Sequence, residues 1–179
     1  NVQLFVDIGA NTGQYGLFVR RAGYNGPILS FEPMKTEPEL LLRQSKSDSN
    51  WMIASPMAIG DHDGLIEINI ASNSGSSSLL PMLELHKEAA PGSAYIGTES
   101  VQIFRLDTIV KKLVDDTCQN LFLKIDVQGS EWSVLDGAKE TLSRVAGILC
   151  ECSFTPLYSG EGQWLSLVQR IEGMGFEIW

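Results

Sequence analysis

The stretch FVDIGANTGQYG, residues 5–16, decides the fold. Its apolar start predicts a buried strand over Leu4–Ile8, and the glycines that follow predict a tight turn. Apolar residues then recur at a spacing of three to four, which indicates a helix that packs against the strand. We therefore expect a strand, a glycine turn and a helix in succession, as in the first unit of an α/β sheet.

Short β-type segments alternate with helix-type segments along much of the chain. This alternation predicts an α/β fold with a mostly parallel central sheet and helices on both faces. Further strands are expected at 27–31, in the region 51–60, at 120–126, in GILCE and in the final FEIW. Further helices are expected at 38–44, at about 131–144 and in GQWLSLVQRIEGMG.

Residues 65–105 interrupt this pattern, because no crossover helix precedes them. GLIEINI alternates like a half-exposed antiparallel strand, and SVQIFRL is expected to be the returning strand. Between them, 71–100 is rich in Ser, Gly and Pro, with a short helix in PMLELHKEAA. We expect one domain over 1–179, trimmed at both ends, with an inserted antiparallel strand pair.

Composition narrows the range of partners. The formal net charge of -9 and the pI near 4.6 disfavour a nucleic-acid partner, because phosphate neutralisation needs clustered Lys and Arg. Three cysteines do not form a disulfide framework, which favours a reducing compartment and hence the cytoplasm. No apolar run reaches the roughly 18 residues of a membrane span. The sequence does not predict the oligomeric state.

Acidic residues follow most of the expected strands. They are Asp7, Glu32 (which precedes Pro33), Asp61, Asp126 and Glu151. Glu32 ends the second strand about 20 residues after the glycine turn, where a carboxylate accepts both hydroxyls of a ribose. Asn11 occupies the place of the second glycine of a dinucleotide loop, which disfavours close approach to a diphosphate. The pattern favours a nucleoside that carries positive charge.

Taken in order, the motifs resemble a known family. VDIGANTG resembles motif I of the class I methyltransferases that use S-adenosylmethionine, and FEP resembles their ribose-binding acidic position. AIGDHDG, SGSSSLL, RLDTIV, LKIDVQGSEWSVLDGA and ECSFTPLYSGEG are similar, in order and spacing, to segments of the FkbM-type methyltransferases. The resemblance covers nearly the whole chain and implies a Rossmann-like methyltransferase fold.

The resemblance also implies which residues hold S-adenosylmethionine. Its methionine and ribose portions would be surrounded by Asp7, Gly9, Asn11 and Gly13, its ribose hydroxyls would contact Glu32 beside Pro33, and its adenine would contact Ala58 to Asp61. Asp126 would lie beside the reacting methyl group. Gln128 stands where the family often has glutamate.

Methyl transfer from a sulfonium is an in-line displacement, so alignment supplies much of the acceleration. We expect the acceptor to be a hydroxyl of a small molecule or a sugar-containing metabolite, which loses its proton to a nearby base. The candidate bases are Asp126, Glu131, Glu151 and His86, the last on a helix that could cover the pocket as a lid. Acceptor specificity is expected in 71–100 and around Tyr158 and Trp164, which would form an apolar wall.

Lys124 lies two residues before Asp126, on the same face of the expected strand. Two roles stay open for it, either an ammonium beside the reacting groups or a buried structural ion pair. No metal site is expected, because no adjacent Asp-Asp or Asp-Asn pair follows Asp126. Cys150 and Cys152 lack two further ligands of matching spacing and are expected in the core.

Two other functions remain open on sequence grounds. A nicotinamide-dependent dehydrogenase would use the same doubly wound architecture, although the chain lacks G-x-G-x-x-G. A non-catalytic module would keep the nucleoside pocket without activity. Protection from unfolding by NAD would identify the dehydrogenase. Binding of the nucleoside without methyl transfer would identify the non-catalytic module.

Overall fold

The computed structural model describes residues 1–35, 38–54 and 56–179. The strands are β1 (Leu4–Ile8), β2 (Ile28–Phe31), β3 (Trp51–Ile53), β4 (Ala58–Gly60), β5 (Gly64–Ala71), β6 (Tyr95–Arg105), β7 (Leu121–Ile125) and β8 (Val145–Cys150). The helices are α1 (Gln14–Arg21), α2 (Pro38–Ser45), α3 (Glu84–Ala89), α4 (Leu106–Leu113), α5 (Glu131–Asp136) and α6 (Trp164–Gly173). Within these described ranges, no helix combines the length and the apolar character needed to cross a bilayer.

The central sheet is parallel and has the strand order β3-β2-β1-β7-β8. β1 pairs with β2 on one side and with β7 on the other, and in this register Asp7 lies opposite Lys124. The chain runs outward from β1 to β3 and then returns to the other side of β1. Strand order therefore reverses at β1, and sheets of this kind bind ligands in the crevice at the carboxyl ends of such strands.

The two faces of the parallel sheet pack against different helices. Leu4, Val6 and Ile8 of β1 join one buried cluster with residues of α4, α5 and α6, whereas Phe5 joins a second cluster with α1 and α2. The helices have 6–10 residues, and isolated helices this short are marginal in water. Their stability comes from this packing, to which each buried aliphatic side chain contributes about 1.5–3 kcal/mol. The predicted α/β class with helices on both faces is confirmed.

A second sheet has the order β4-β6-β5, with β5 antiparallel and β4 parallel to β6. The predicted antiparallel pair is therefore confirmed, and β4 adds a third strand to it. Both segments of the strand region predicted over 51–60 contain a strand, but they do not form one unit, because β3 belongs to the parallel sheet and β4 to the second sheet. Ser55, within that predicted region, lies outside the described residues.

Three further predictions of secondary structure are corrected. The helix expected over about 131–144 ends at Asp136, and a 3-10 turn follows at Thr141–Arg144. The helix does not continue because Asp107 bonds to the backbone there: its N–H donates to the Gly137 carbonyl, and its carboxylate accepts the N–H groups of Glu140 and Thr141. Helix α4 has no counterpart in the predicted pattern, and residues 176–179 form no strand.

Candidate functional site

A cavity of about 250 Å³ lies at the carboxyl ends of β1, β2 and β7. The connection after β5 contributes Ser74 and Ser77–Leu79 to its wall. The predicted site residues that line it are Gly9, Asn11, Glu32, Pro33, Ala58, Lys124 and Asp126. The sheet thus brings together residues that are far apart in the chain, at the position where strand order reverses.

The glycine turn after β1 packs directly against the end of β7. Gly9 has a φ of 76°, and a Cβ atom there would lie 1.8 Å from the Asp126 carbonyl oxygen. Only glycine fits this approach. Asn11 also has a positive φ, 48°, and its side chain bonds to Ser74 Oγ at 3.2 Å. The turn is therefore fixed by both neighbouring elements.

Glu32 joins the β1 turn to the end of β2. Its Oε2 atom accepts the Asn11 backbone N–H at 2.8 Å, and its Oε1 atom accepts the Met34 N–H at 3.1 Å. The residue is 6% exposed, yet it lines the cavity. Its carboxylate is consequently held in one orientation at the wall of the cavity.

Lys124 connects three groups at the other side of the turn. Its ammonium lies 3.2 Å from Asp7 Oδ1 and 3.5 Å from Asp126 Oδ2, and it donates a 2.7 Å hydrogen bond to the Gly9 carbonyl. Burial raises the pKa of Asp7, and the charge of Lys124 opposes that rise. Asp7 lies behind Lys124 and does not line the cavity. Lys124 thus forms the buried ion pair, which is one of the two roles that the sequence left open, and it also lines the cavity. Its place beside the reacting groups stays a prediction.

Asp126 and Glu151 form a pair of carboxyl groups beyond the ends of β7 and β8. The Gln128 side-chain amide donates to both of them, at 2.9 Å to Asp126 Oδ1 and 2.7 Å to Glu151 Oε2. Desolvation and the hydrogen bond and negative charge of Asp126 raise the pKa of Glu151 to about 8. Burial alone would raise the pKa of Asp126, but hydrogen bonds from Glu151 and Gln128 and the charge of Lys124 lower it.

Glu131 supports the loop that carries this pair. It is 4% exposed, and its Oε1 atom accepts the backbone N–H groups of Val127 and Gly129, both at 3.2 Å. Burial raises the pKa of Glu131, although these N–H groups oppose the rise. Glu131 and Glu151 do not line the main cavity, but both line a smaller one of about 30 Å³ beside Gln128.

The opposite part of the main cavity is apolar. Met34, Ala58 and Ile68 belong to one buried cluster and line the cavity there. Asp61 lies outside it, with its carboxylate 2.6 Å from His62 Nδ1. Gly13 also lies outside, at the start of α1, where a Cβ atom would contact Leu41. The cavity therefore has a charged end and an apolar end, with Glu32 bonded to residues of both.

His86, expected on a lid, is 7% exposed and packs edge-on against the ring of Tyr158, 5.2 Å between centroids. It does not line either cavity. Tyr158 is 1% exposed, and its hydroxyl bonds to Gln128 instead of forming an apolar wall. The expected core placement of both cysteines is wrong for Cys152, which is exposed.

Sequence reasoning missed Gln128 and the serines of the cavity wall. In the sequence, SGSSSLL carries only a family resemblance, yet Ser78 lines the cavity and donates to the Gln128 carbonyl at 2.6 Å. Across the described part of the chain, no three His, Cys, Asp or Glu side chains are grouped to hold a metal ion. The arrangement suits a ligand with hydroxyls at Glu32, an apolar portion, and positive charge near Asp126.

Comparison with known proteins relates the chain to a protein family and to a curated protein. The family model described as "Methyltransferase FkbM domain" matches residues 7–178. The chain is also similar to the 2-O-methyltransferase NoeI of Sinorhizobium fredii (strain NBRC 101917 / NGR234), with 25% identity over 164 residues, or 88% of this chain. That alignment covers 66% of the relative, so the chain spans about two thirds of its length.

Proposed function

The chain belongs to the FkbM methyltransferase family, and from that premise we propose that it transfers a methyl group from S-adenosylmethionine to a hydroxyl group. The acceptor is a small molecule or a sugar-containing metabolite. The observation that carries the proposal is a single cavity with the fixed Glu32 carboxylate on one side and Lys124 and Asp126 on the other. Family membership implies a methyl donor, and the cavity favours this one.

The residues present fit the donor by their chemistry. S-adenosylmethionine supplies an electrophilic methyl group on a positively charged sulfur. Glu32 would accept hydrogen bonds from the ribose hydroxyls, and the apolar wall of Met34, Ala58 and Ile68 would hold the adenine. Asp126, whose pKa is lowered, stays ionised and favours the cationic portion. Gly9 and Asn11 shape the turn at the cavity wall and would contact the methionine portion.

A hydroxyl acceptor is supported by the relative described as a 2-O-methyltransferase. An alcohol loses its proton as the new carbon–oxygen bond forms, so a base within reach accelerates the reaction. We assign that role to Glu151, which lines the smaller cavity and shares the Gln128 amide with Asp126, and whose raised pKa suits a base that works near or above neutral pH. Asp126 remains ionised beside it, while Glu131 holds the loop. Asp126 and Glu151 thus have different roles: Asp126 supplies negative charge, and Glu151 accepts the proton.

The remaining expectations are part of the same proposal. One domain over 1–179 carries both the cavity and the 65–105 insertion, and the cytoplasm is the proposed location because of the odd number of cysteines. The net charge of -9 favours neutral or cationic acceptors over polyanions such as nucleic acid.

A direct test supplies S-adenosylmethionine labelled on its methyl group together with a panel of monosaccharides, oligosaccharides and other alcohols. Labelled product and released S-adenosylhomocysteine are the expected result, and Asp126→Asn should chiefly lower turnover. Protection from thermal unfolding by NAD, with none by either S-adenosyl nucleoside, would favour the dehydrogenase instead. Nucleoside binding without transfer to any member of a broad panel would favour the non-catalytic module.

A further inference from the structure

The Gln128 side-chain amide bridges the carboxyl groups of Asp126 and Glu151. Its NH₂ group has two hydrogens, and one is directed to Asp126 Oδ1 and the other to Glu151 Oε2. Donors of this kind stabilise the ionised form of a carboxyl group. When both groups are ionised, the amide lies between two like charges and offsets part of their repulsion.

Tyr158 and the two carboxyl groups together determine which way this amide points. Its hydroxyl donates to Gln128 Oε1 at 2.9 Å, and the same hydroxyl lies 3.2 Å from the Ser76 carbonyl. A flipped amide would turn its oxygen toward two carboxyl groups and its NH₂ toward the phenol. The observed orientation is therefore the one in which every polar atom of the amide has a complementary partner.

The backbone at Gln128 is held in an unfavourable conformation. Its φ is 54°, a left-handed value that costs about 1 kcal/mol or more for a residue with a Cβ atom. Glu131 accepts the N–H groups on either side, and Ser78 Oγ donates to the Gln128 carbonyl. Such a conformation persists only where surrounding contacts determine it, and those contacts place the amide between the two carboxyl groups.

We propose that Gln128 is a positioning residue of the active site, which holds Asp126 and Glu151 side by side while both are ionised, and that Tyr158 fixes the orientation of its amide. The catalytic meaning of this inference rests on the proposed methyl transfer. The geometric part does not, because the contacts are between the protein's own side chains and can be tested without a methyl acceptor.

The ionisation of the pair depends on all charged and titratable groups around it. These are Lys124 from β7, Asp7 from β1, Glu131 from α5, and Cys150, Cys152, Tyr158 and Glu161 from β8 and the loop that follows it. Lys124 is the cation among them that contacts Asp126. Removal of the Gln128 amide leaves these groups unchanged, so a shift on its removal reports the amide itself.

Carboxyl-carbon NMR titration of the ligand-free chain measures this directly, with the Glu151 signal assigned by its loss in Glu151→Gln. Gln128→Met keeps the length of the side chain and its Cβ atom but removes both N–H donors. It should raise the pKa of Glu151 by about one pH unit. Tyr158→Phe should raise it by a smaller amount. Tyr95→Phe is the matched control, since Tyr95 donates to the Leu80 carbonyl and not to Gln128.

The proposal is overturned if folded Gln128→Met titrates like wild type, or if Tyr95→Phe shifts Glu151 as much as Tyr158→Phe does. Once an acceptor is known, Gln128→Met should lower kcat and move its pH profile to higher pH, with little change in the affinity for S-adenosylhomocysteine. If the wild-type protein does not bind S-adenosylhomocysteine, that result would instead count against the proposed function. The two failures are thus distinguishable.

Discussion

The ammonium of Lys124 lies 3.2 Å from Oδ1 of Asp7, and these side chains are 7% and 0% exposed. The pair connects the centre of the sheet to the site, because the same ammonium also contacts Asp126. A buried ion pair is costly to break from one side, since the remaining charge has no counter-charge and no water. The contact therefore contributes both to the stability of the fold and to the charge of the cavity.

Lys124→Met should lower the free energy of unfolding by about 3–5 kcal/mol, because Asp7 is then buried without its cation. Urea unfolding monitored by circular dichroism measures the change. Lys87→Met is the matched control, since Lys87 forms an exposed ion pair with Glu84 and should change stability by about 0.5 kcal/mol or less.

The loss in Lys124→Met should also depend on pH. Burial raises the pKa of Asp7 in the folded state above 3.8, so the folded protein retains a proton that the unfolded chain releases. Stability therefore falls as pH rises from 3.8 toward the pKa of Asp7 in the folded state. Without Lys124 that folded-state pKa is higher still, so stability falls over a wider range of pH. We expect a smaller loss in acid than at neutral pH. An equal loss of stability in acid and at neutral pH would mean that the charge of Lys124 does not affect the pKa of Asp7.

Gly9→Ala tests the contact between the β1 turn and β7. The new Cβ atom would lie 1.8 Å from the Asp126 carbonyl oxygen, so we expect destabilisation of about 3 kcal/mol or more. Gly23→Ala is the control, because Gly23 has a φ of 93° but a Cβ atom added there would have no neighbour within 4 Å. It should cost only the strain of about 1–2 kcal/mol. Similar losses in both variants would remove the argument for close packing at Gly9.

The raised pKa of Glu151 leads us to predict how turnover depends on pH. Its pKa is raised to about 8, and a base must be ionised to accept a proton, so kcat should rise with pH and level off above about 8. Glu151→Gln should lower kcat by about 100-fold or more and remove this rise. Initial rates of S-adenosylhomocysteine release across pH provide the measurement. An unchanged profile in Glu151→Gln would assign the base elsewhere.

Local sequence patterns predicted the parts of the fold that depend on local chemistry. Strand Leu4–Ile8 has the predicted bounds, because a continuous apolar run followed by a glycine turn has few alternatives. Helix α5 is shorter than its apolar spacing suggests, because the backbone after it bonds to Asp107, which is distant in sequence. The division of 51–60 between two sheets is likewise a tertiary effect that no local pattern records.

At the site, too, sequence patterns predicted some residues, and others depend on tertiary contacts. Glu32, Lys124 and Asp126 were predicted because strand ends meet at one edge of a parallel sheet. Gln128 was missed as a site residue, since its role depends on a left-handed backbone and on Tyr158, 30 residues away. Contacts of that kind arise from tertiary structure and leave no periodic signal in the sequence.

Glu32 offers the sharpest test of cofactor binding. Removal of its carboxylate in Glu32→Ala should weaken S-adenosylhomocysteine binding by about 10- to 100-fold, the range of hydrogen bonds to a charged group. Glu67→Ala is the control, because Glu67 is exposed on β5 and does not line the cavity. Unfolding curves of both variants establish that each is folded.

Titration calorimetry with S-adenosylhomocysteine therefore tests the central claim, that this cavity binds the methyl donor. We predict saturable binding at one site in wild type and in Glu67→Ala, and the weaker binding just described in Glu32→Ala. The absence of saturable binding to the folded wild-type chain, or equal affinity in Glu32→Ala, would contradict the claim.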